Sequence, residues 1–406
     1  MRRSRVRFPQ AAPVKRPRSQ KNPATAFQSA SATDAKFATN VVGLATHQDC
    51  RRDLLCILQR VQSLSLTRRA SLPTPKASVV IAAYNSSSRL KCAVTSILQQ
   101  SVADLEVVIV GDSCTDDTEE MLAAIGDSRI RWENLAHNWG EQSVPSNRAI
   151  ELAEGNFIFF LNQDDLWMPS HVEDCLSLFR EPSLDVVWSP YVVLPPGCRP
   201  GETRAKGVGL SGISRDHPRF DPFTFIPASC TAWRTESLRR IGGWRTAAEV
   251  VVSPSQDLLW RAKRGGLSLR GKAKPTVLVL WSGYRPGSYL PNYRAHDNES
   301  WLDALERTPV AVENEIEMMP IIRTHRGQEK VTDRVIDFLR KAHWLVKLVR
   351  LLRKPGFWVL ELFGFHPLSL HVWVQHRSAG GFINRVRQKN GLDQRDYWHP
   401  KRLLKL

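Results

Sequence analysis

Between residues 79 and 193, short apolar runs alternate with segments whose apolar residues recur every three or four positions. The runs have the length and composition of strands covered on both faces, and the segments between them have helical spacing. Such alternation predicts an α/β fold with a mostly parallel, Rossmann-like sheet and helices on both faces. We predict strands over residues 79–83, 105–110, 129–133, 157–161 and 185–193, and helices over residues 86–100, 115–125, 142–153 and 169–179.

Polar residues directly follow three of these strands. They occupy residues 84–85, 111–113 and 162–165. In open α/β sheets, ligands bind in the crevice at the carboxyl ends of the strands. We therefore expect the three loops to meet at one ligand site.

Asp164 and Asp165 follow the most hydrophobic of the predicted strands. Mg²⁺ and Mn²⁺ prefer oxygen ligands, and Mg²⁺ typically takes one or two carboxylates and completes its coordination with substrate phosphates. The two acids are therefore predicted to bind a metal ion that also coordinates the phosphates of a nucleotide diphosphate. The alternative, from the residues alone, is that they cap a helix beginning near Pro169.

Four segments occur in the order typical of family 2 glycosyltransferases, and the chain resembles these enzymes from about residue 77 to residue 288. The segments are residues 78–85 (SVVIAAYN), 108–113 (VIVGDS), 156–167 (NFIFFLNQDDLW) and 241–244 (IGGW). The resemblance implies a GT-A fold, a nucleotide-sugar donor, a divalent metal (Mn²⁺ or Mg²⁺) and transfer with inversion at the anomeric carbon.

The resemblance also assigns donor-side roles residue by residue. The residues predicted to bind the nucleotide sugar are Ala82, Tyr84, Asn85, Asp112, Asn147, Gln163, Asp164 and Arg285. Within this set, Asp112 is expected at the nucleobase and Asp164 at the metal, with Asp165 beside it. Arg285 would offset the charge of the leaving diphosphate, and an ordinary solvated arginine is the alternative there.

Three positions depart from the family's pattern. Asn162 stands where the family commonly has its first acid, Ser146 stands where it has an arginine, and Gln256 replaces a glutamate. The first departure weakens the expected metal affinity but leaves the carboxylate of Asp164 in place.

The acceptor side requires a base, because the attacking hydroxyl loses its proton as it reaches the anomeric carbon. Asp257 is the candidate, since residues 255–261 resemble the family's Glu-Asp-x-x-x-x-x-Arg segment. From the residues alone, the favoured interpretation of Asp257 is a helix N-cap, an interaction worth about 1 kcal/mol. Residues 225–231 match the segment that forms the base of the acceptor-binding site in the family.

Charge is distributed unevenly along the chain. The net charge is +12 over residues 1–76, −5 over residues 77–330 and +10 over residues 331–406. A nucleic-acid-binding protein needs its cations on the folded surface, so the acidic centre argues against that class. Basic ends suit an anionic membrane surface, and residues 335–352 have the spacing of an amphipathic helix with a basic face; packing on the catalytic domain is the alternative.

These patterns predict three parts. Residues 1–76 are expected to be a largely disordered basic arm and linker, residues 77–300 the catalytic domain, and residues 301–406 a helical basic extension. Residues 1–45 are also what a wrongly chosen start codon would produce. The sequence favours a cytoplasmic location. Its seven cysteines are scattered and lack C-x-x-C spacing, and no apolar stretch is long enough for a secretory signal or a membrane span.

The leading hypothesis is a glycosyltransferase that uses a nucleotide-diphosphate sugar and a glycan, lipid-linked or cell-envelope acceptor, with peripheral membrane contact. One alternative is a catalytically degenerate binding protein of the same fold. A nucleotidyltransferase is less favoured, because residues 83–88 contain neither the glycine nor the lysine expected of a phosphate-binding loop after the first strand.

Overall fold

The computed structural model describes residues 76–214, 217–282, 285, 287–289, 293–321, 366, 381–389 and 392–393. The strands are β1 (Ala77–Ala83), β2 (Leu105–Gly111), β3 (Ile130–Asn134), β4 (Phe157–Phe160), β5 (Leu166–Trp167), β6 (Val186–Trp188), β7 (Tyr191–Val193), β8 (Leu210–Ser211), β9 (Thr231–Arg234), β10 (Leu269–Gly271) and β11 (Val277–Val279). The helices are α1 (Ser87–Leu98), α2 (Thr118–Ile125), α3 (Ser143–Leu152), α4 (His171–Leu178), α5 (Thr235–Arg240), α6 (Pro254–Arg264), α7 (His296–Arg307), α8 (Pro309–Glu317) and α9 (Gly381–Lys389).

The larger sheet has seven strands in the order β10-β6-β9-β4-β1-β2-β3. Its pairings are parallel except at β9, which lies antiparallel between β4 and β6. The predicted α/β class with a mostly parallel sheet is therefore confirmed.

The centre of this sheet is buried on both faces. Every residue of β1 except Ala82 is buried, and so is every residue of β2 except Glu106, as the continuous apolar runs predict. Gly155, just before β4, meets the backbone of β1 so closely that an added Cβ would lie 2.6 Å from the Ser78 amide nitrogen. Only glycine fits this contact.

The predicted strand over residues 185–193 is wrong in one respect, because the chain divides there between two sheets. β6 pairs in the larger sheet, whereas β7 pairs with β8 and β11 in a second sheet of order β5-β11-β7-β8. Pro190 lies between them and has no N–H to donate to a ladder.

The second sheet packs with α7 and α8 around its own apolar cluster, which includes the fully buried Trp301. None of the described helices is both long enough and apolar enough to cross a bilayer. The amphipathic helix predicted over residues 335–352 lies outside the described residues.

Candidate functional site

A cavity of about 370 Å³ opens at the carboxyl ends of β1, β2 and β4. Five of the predicted donor-side residues line it, namely Ala82, Tyr84, Asp112, Gln163 and Asp164. The three polar loops therefore meet at one site, as their positions after parallel strands predict.

The loops after β1 and β4 are clamped together by one side chain. Gln163 Oε1 accepts a hydrogen bond from the Tyr84 amide at 2.8 Å, and Gln163 Nε2 donates to the Tyr84 carbonyl at 3.1 Å. Asn85, at φ 34°, uses its own amide to bind the backbone and hydroxyl of Thr115. Asn85 therefore supports the first loop and does not line the cavity.

Asp112 is buried at the end of β2 and holds the loop that follows β3. Its two carboxylate oxygens accept hydrogen bonds from the amides of Trp139 and Gly140, each at 2.8 Å. Charge-assisted bonds of this kind are strong, so the wall of the cavity at Asp112 is fixed in shape before a ligand arrives.

Asp164 and Asp165 face different surroundings. Asp164 lines the cavity, and its Oδ2 accepts hydrogen bonds from the amide (2.9 Å) and hydroxyl of Ser282. None of the described residues donates a hydrogen bond to Asp164 Oδ1. Only Asp164 of the two therefore offers a carboxylate oxygen to the cavity.

Asp165 points into the protein. Its Oδ1 accepts from the Leu280 amide at 3.0 Å, and its Oδ2 accepts from Asn162 Nδ2 at 3.0 Å and from the Ser229 hydroxyl. Burial, and after it the charge of Asp164, raises the pKa of the Asp165 carboxyl. Asp165 thus joins the end of β4 to β11, and it does not line the cavity.

Asp257 lies in the first turn of α6, but the N-cap of that helix is Ser253, whose hydroxyl accepts from the Gln256 amide. Asp257 Oδ2 accepts from Arg261 Nε at 2.7 Å, and its Oδ1 lies 3.9 Å from Arg245 Nη1. The start of α6 reaches the cavity through residues 253–255, whereas Asp257 itself does not line it. Its role as base stays a prediction.

Asn147 and Arg285 are engaged elsewhere in the domain. The Asn147 amide binds both backbone groups of Trp244, at 2.8 and 2.9 Å. Arg285 is buried against Asp297, with 3.0 Å between Nη2 and Oδ2. Neither residue lines the cavity, and their predicted contacts with the donor stay predictions.

Glu141 lines the cavity and was not a predicted site residue. Both of its carboxylate oxygens accept from the Ala247 amide, at 2.9 and 2.7 Å, and one also accepts from the Ser143 hydroxyl. Burial raises the pKa of Glu141 to about 7 despite these bonds. The sequence gives little sign that Glu141 lines the cavity, because an acid just before a helix is typical of a favourable interaction with the helix dipole.

Arg89 is a fully buried cation behind the wall that carries Asp164. Its guanidinium donates to the Ser282 hydroxyl at 2.8 Å and to the Ser288 carbonyl at 2.7 Å, and it lies 4.9 Å from the ring of Tyr289, which lines the cavity. No carboxylate of the described residues forms an ion pair with it. A single arginine in a helical pattern gives no sign of such burial.

Described residues near the carboxyl terminus also reach the cavity. Ile383 and Arg387 of α9, together with Leu392, line it. The sequence predicted a helical extension here but did not predict that it reaches this cavity.

Residues 78–242 match the family model described as glycosyl transferase family 2. They form a family 2 glycosyltransferase domain. The match runs from β1 to the turn after α5, so it includes the loops that carry Asp112 and Asp164 and stops before Asp257. With the observed sheet, it confirms the predicted GT-A type of α/β fold.

Two curated relatives come from Escherichia coli. The chain is 24% identical over 161 residues to the UDP-Glc:alpha-D-GlcNAc-diphosphoundecaprenol beta-1,3-glucosyltransferase WfgD, with 36% of this chain and 63% of that protein covered. It is 31% identical over 117 residues to WfaP, which carries the same enzyme description, with 29% and 46% covered. The chain thus spans roughly half the length of these relatives.

Among solved structures, residues 1–349 of Staphylococcus aureus TarS in complex with UDP-GlcNAc are similar at 17% identity and a TM-score of 0.45. That similarity covers 79% of this chain and 93% of the other.

Proposed function

We propose that this protein transfers a sugar from a nucleotide-diphosphate sugar to a glycan, lipid-linked or cell-envelope acceptor. The observation that carries the proposal is the cavity in which Asp112 and Asp164 of the family 2 domain meet. The enzyme names of WfgD and WfaP describe a UDP-Glc donor and a diphosphoundecaprenol-linked acceptor. They support a lipid-linked acceptor here as the first to test.

The residues present fit a divalent metal of modest affinity. Among the described residues, no group of three or more His, Cys, Asp or Glu side chains could enclose an ion, but Mg²⁺ needs only one or two carboxylates when substrate phosphates supply the remaining ligands. Asp164 lines the cavity, and its Oδ1, which accepts no hydrogen bond from the described residues, would be the protein ligand. A bound Mn²⁺ or Mg²⁺ would offset the charge of the departing diphosphate.

Asp257 is proposed as the base of an inverting displacement. The acceptor hydroxyl would give its proton to Asp257 while its oxygen forms a bond to the anomeric carbon. The bond from that carbon to the phosphate oxygen would break, and its electron pair would leave with the nucleoside diphosphate. Arg261 fixes Asp257 Oδ2, which leaves Oδ1 as the oxygen that takes the proton.

Membrane contact is also part of the proposal. Residues 331–406 carry a net charge of +10, which favours the anionic cytoplasmic leaflet, where each basic residue near the surface contributes about 1 kcal/mol. A peripheral position at that surface would bring the cavity to a lipid-linked acceptor.

The test is hydrolysis and transfer by the full chain with a panel of nucleotide sugars and Mn²⁺ or Mg²⁺. We expect metal-dependent turnover of at least one donor, lost in both Asp164→Ala and Asp257→Asn. Absence of turnover together with absence of metal-dependent nucleotide binding would overturn the transferase proposal. Nucleotide binding without turnover would instead favour the degenerate binding protein.

A further inference from the structure

The cavity has a wall that comes from far along the chain. Ile383 and Arg387 lie on α9 and Leu392 follows it, and all three line the cavity together with Asp112 and Gly140. Arg387 and Gly140 are 247 residues apart in the sequence. The family match ends at residue 242, so this wall is an addition to the matched domain.

Arg387 joins this wall to the loop held by Asp112. Its Nη1 donates to the Gly140 carbonyl at 2.8 Å, while the Gly140 amide donates to Asp112 Oδ2 at the same distance. Its Nε donates to the Asp393 carbonyl at 2.7 Å, which ties Asp393 to α9. Arg387 thus links the carboxyl-terminal segment to the end of the cavity at which the nucleobase is expected.

The charge of Arg387 lacks a partner in the described part of the chain. The side chain is 7% exposed, none of the described carboxylates forms an ion pair with it, and its hydrogen bonds to the described residues use Nε and Nη1 only. A buried charge is costly unless it is paired or hydrogen-bonded. A ligand with hydrogen-bond acceptors would therefore be bound favourably at Nη2.

The segment forms a wall and does not fill the site. About 370 Å³ of cavity remains with α9 in place, within the range of small-molecule sites. A segment that blocked the donor would occupy this space.

We propose that α9 and Leu392 complete the donor site at its nucleobase end and that Arg387 binds the nucleoside part of the donor. This inference rests on the proposed function, since it takes the ligand of the cavity to be a nucleotide sugar.

The experiment measures binding by the full-length protein with isothermal titration calorimetry. The probes are UDP, GDP, CDP and ADP and the corresponding monophosphates, and the variants are Arg387→Ala, Arg387→Lys and Arg385→Ala. Arg385 is the matched control, because it lies on the same helix, is exposed and carries the same charge. Thermal unfolding of each variant checks that it is folded.

We expect Arg387→Ala to weaken the binding of the preferred diphosphate and its monophosphate by about tenfold, the effect of one hydrogen bond to a charged group. Arg387→Lys should recover part of the loss, and Arg385→Ala should bind like the wild type. Equal affinity of Arg387→Ala and wild type would overturn the inference, as would tighter binding, which would mark the segment as a block. A loss confined to diphosphates would place Arg387 at the phosphates and also overturn it.

Failure of the premise that the cavity binds a nucleotide is distinguishable, because the wild type would then bind none of the probes, and failure of catalysis alone would appear in the turnover assay and not in these titrations. If Arg387→Ala does not fold, Arg387→Gln replaces it, since it removes the charge while keeping a donor for the Gly140 carbonyl.

Discussion

The side of the cavity proposed to bind the donor (the donor side) and the side proposed to bind the acceptor (the acceptor side) are held in place by different means. On the donor side, the side chains follow parallel strands of a buried sheet, and their hydrogen bonds run between neighbouring loops. On the acceptor side, residues 244–252 are held by single side chains, with Asn147 bound to Trp244 and Glu141 bound to Ala247. Asp257 follows this loop and is itself bound to Arg261.

The difference indicates where each side obtains its precision. Backbone pairing in the larger sheet fixes the groups proposed to bind the donor, so a donor would meet a site that is already formed. The groups proposed for the acceptor depend on a few side-chain contacts, which would allow this side to adapt to a larger glycan or lipid-linked substrate.

The largest effect is expected at Asp164. Asp164→Ala should lower turnover about a thousandfold, because it removes the proposed metal ligand and several kcal/mol of charge stabilisation. Donor turnover as a function of Mn²⁺ concentration measures the effect. Asp165→Asn is the matched comparison. It should lower the unfolding midpoint, and it should reduce turnover at saturating metal less than Asp164→Ala does. Equal losses of turnover in the two variants would mean that the acids act as one metal site.

The next effect is expected at Asp257. Asp257→Asn should lower kcat by about a hundredfold or more while leaving donor affinity unchanged, since only proton transfer is lost. Single-turnover kinetics and nucleotide titration separate the two quantities. The control is Asp303→Asn on α7, which removes another Asp–Arg pair of the same i,i+4 spacing and the same 2.7 Å distance. An unchanged kcat for Asp257→Asn would show that another group takes the proton.

Smaller effects on kcat/KM are expected at two buried arginines, Arg89 and Arg285, near the expected diphosphate. The charge of Arg285 is paired with Asp297, whereas Arg89 has no acidic partner among the described residues and supports Ser282, which binds Asp164. Arg89→Lys should lower kcat/KM for the donor about tenfold, because the three guanidinium nitrogens of Arg89 bond Ser86, Ser282 and Ser288, and the single ammonium nitrogen of lysine does not reproduce this planar geometry. Arg285→Lys should lower it less. The reverse order would support the role assigned to Arg285 from the sequence.

The sequence predicted the meeting of the loops after β1, β2 and β4 far better than the rest of the site. Apolar runs and helical spacing locate β1, β2 and β4, and a parallel sheet then brings the loops of Asp112 and Asp164 together. The second sheet escaped prediction because its strands are two or three residues long, too short for periodicity. Glu141, Arg89 and Arg387 escaped for another reason, since their importance arises from burial and long-range contacts that no local pattern records.

The smallest effect concerns the pH dependence of the acceptor-side loop. Burial raises the pKa of Glu141 from 4.5 to about 7, and the charges of Asp112 and Glu249 add to the shift, while hydrogen bonds from Ala247 and Ser143 oppose it. Folding therefore favours the protonated carboxyl. The stabilisation is complete below pH 4.5 and is lost as the pH rises through 7. Glu141→Gln cannot ionise, so its unfolding midpoint should fall less than that of the wild type between pH 5 and pH 8, by about 2–4 °C for each kcal/mol involved. Thermal unfolding of both proteins across this range measures the difference. If the unfolding midpoints of the two proteins instead changed in parallel with pH, Glu141 would be charged throughout this range. Its carboxylate would then accept the hydrogen bond from the Ala247 amide, in the loop before α6, at every pH tested.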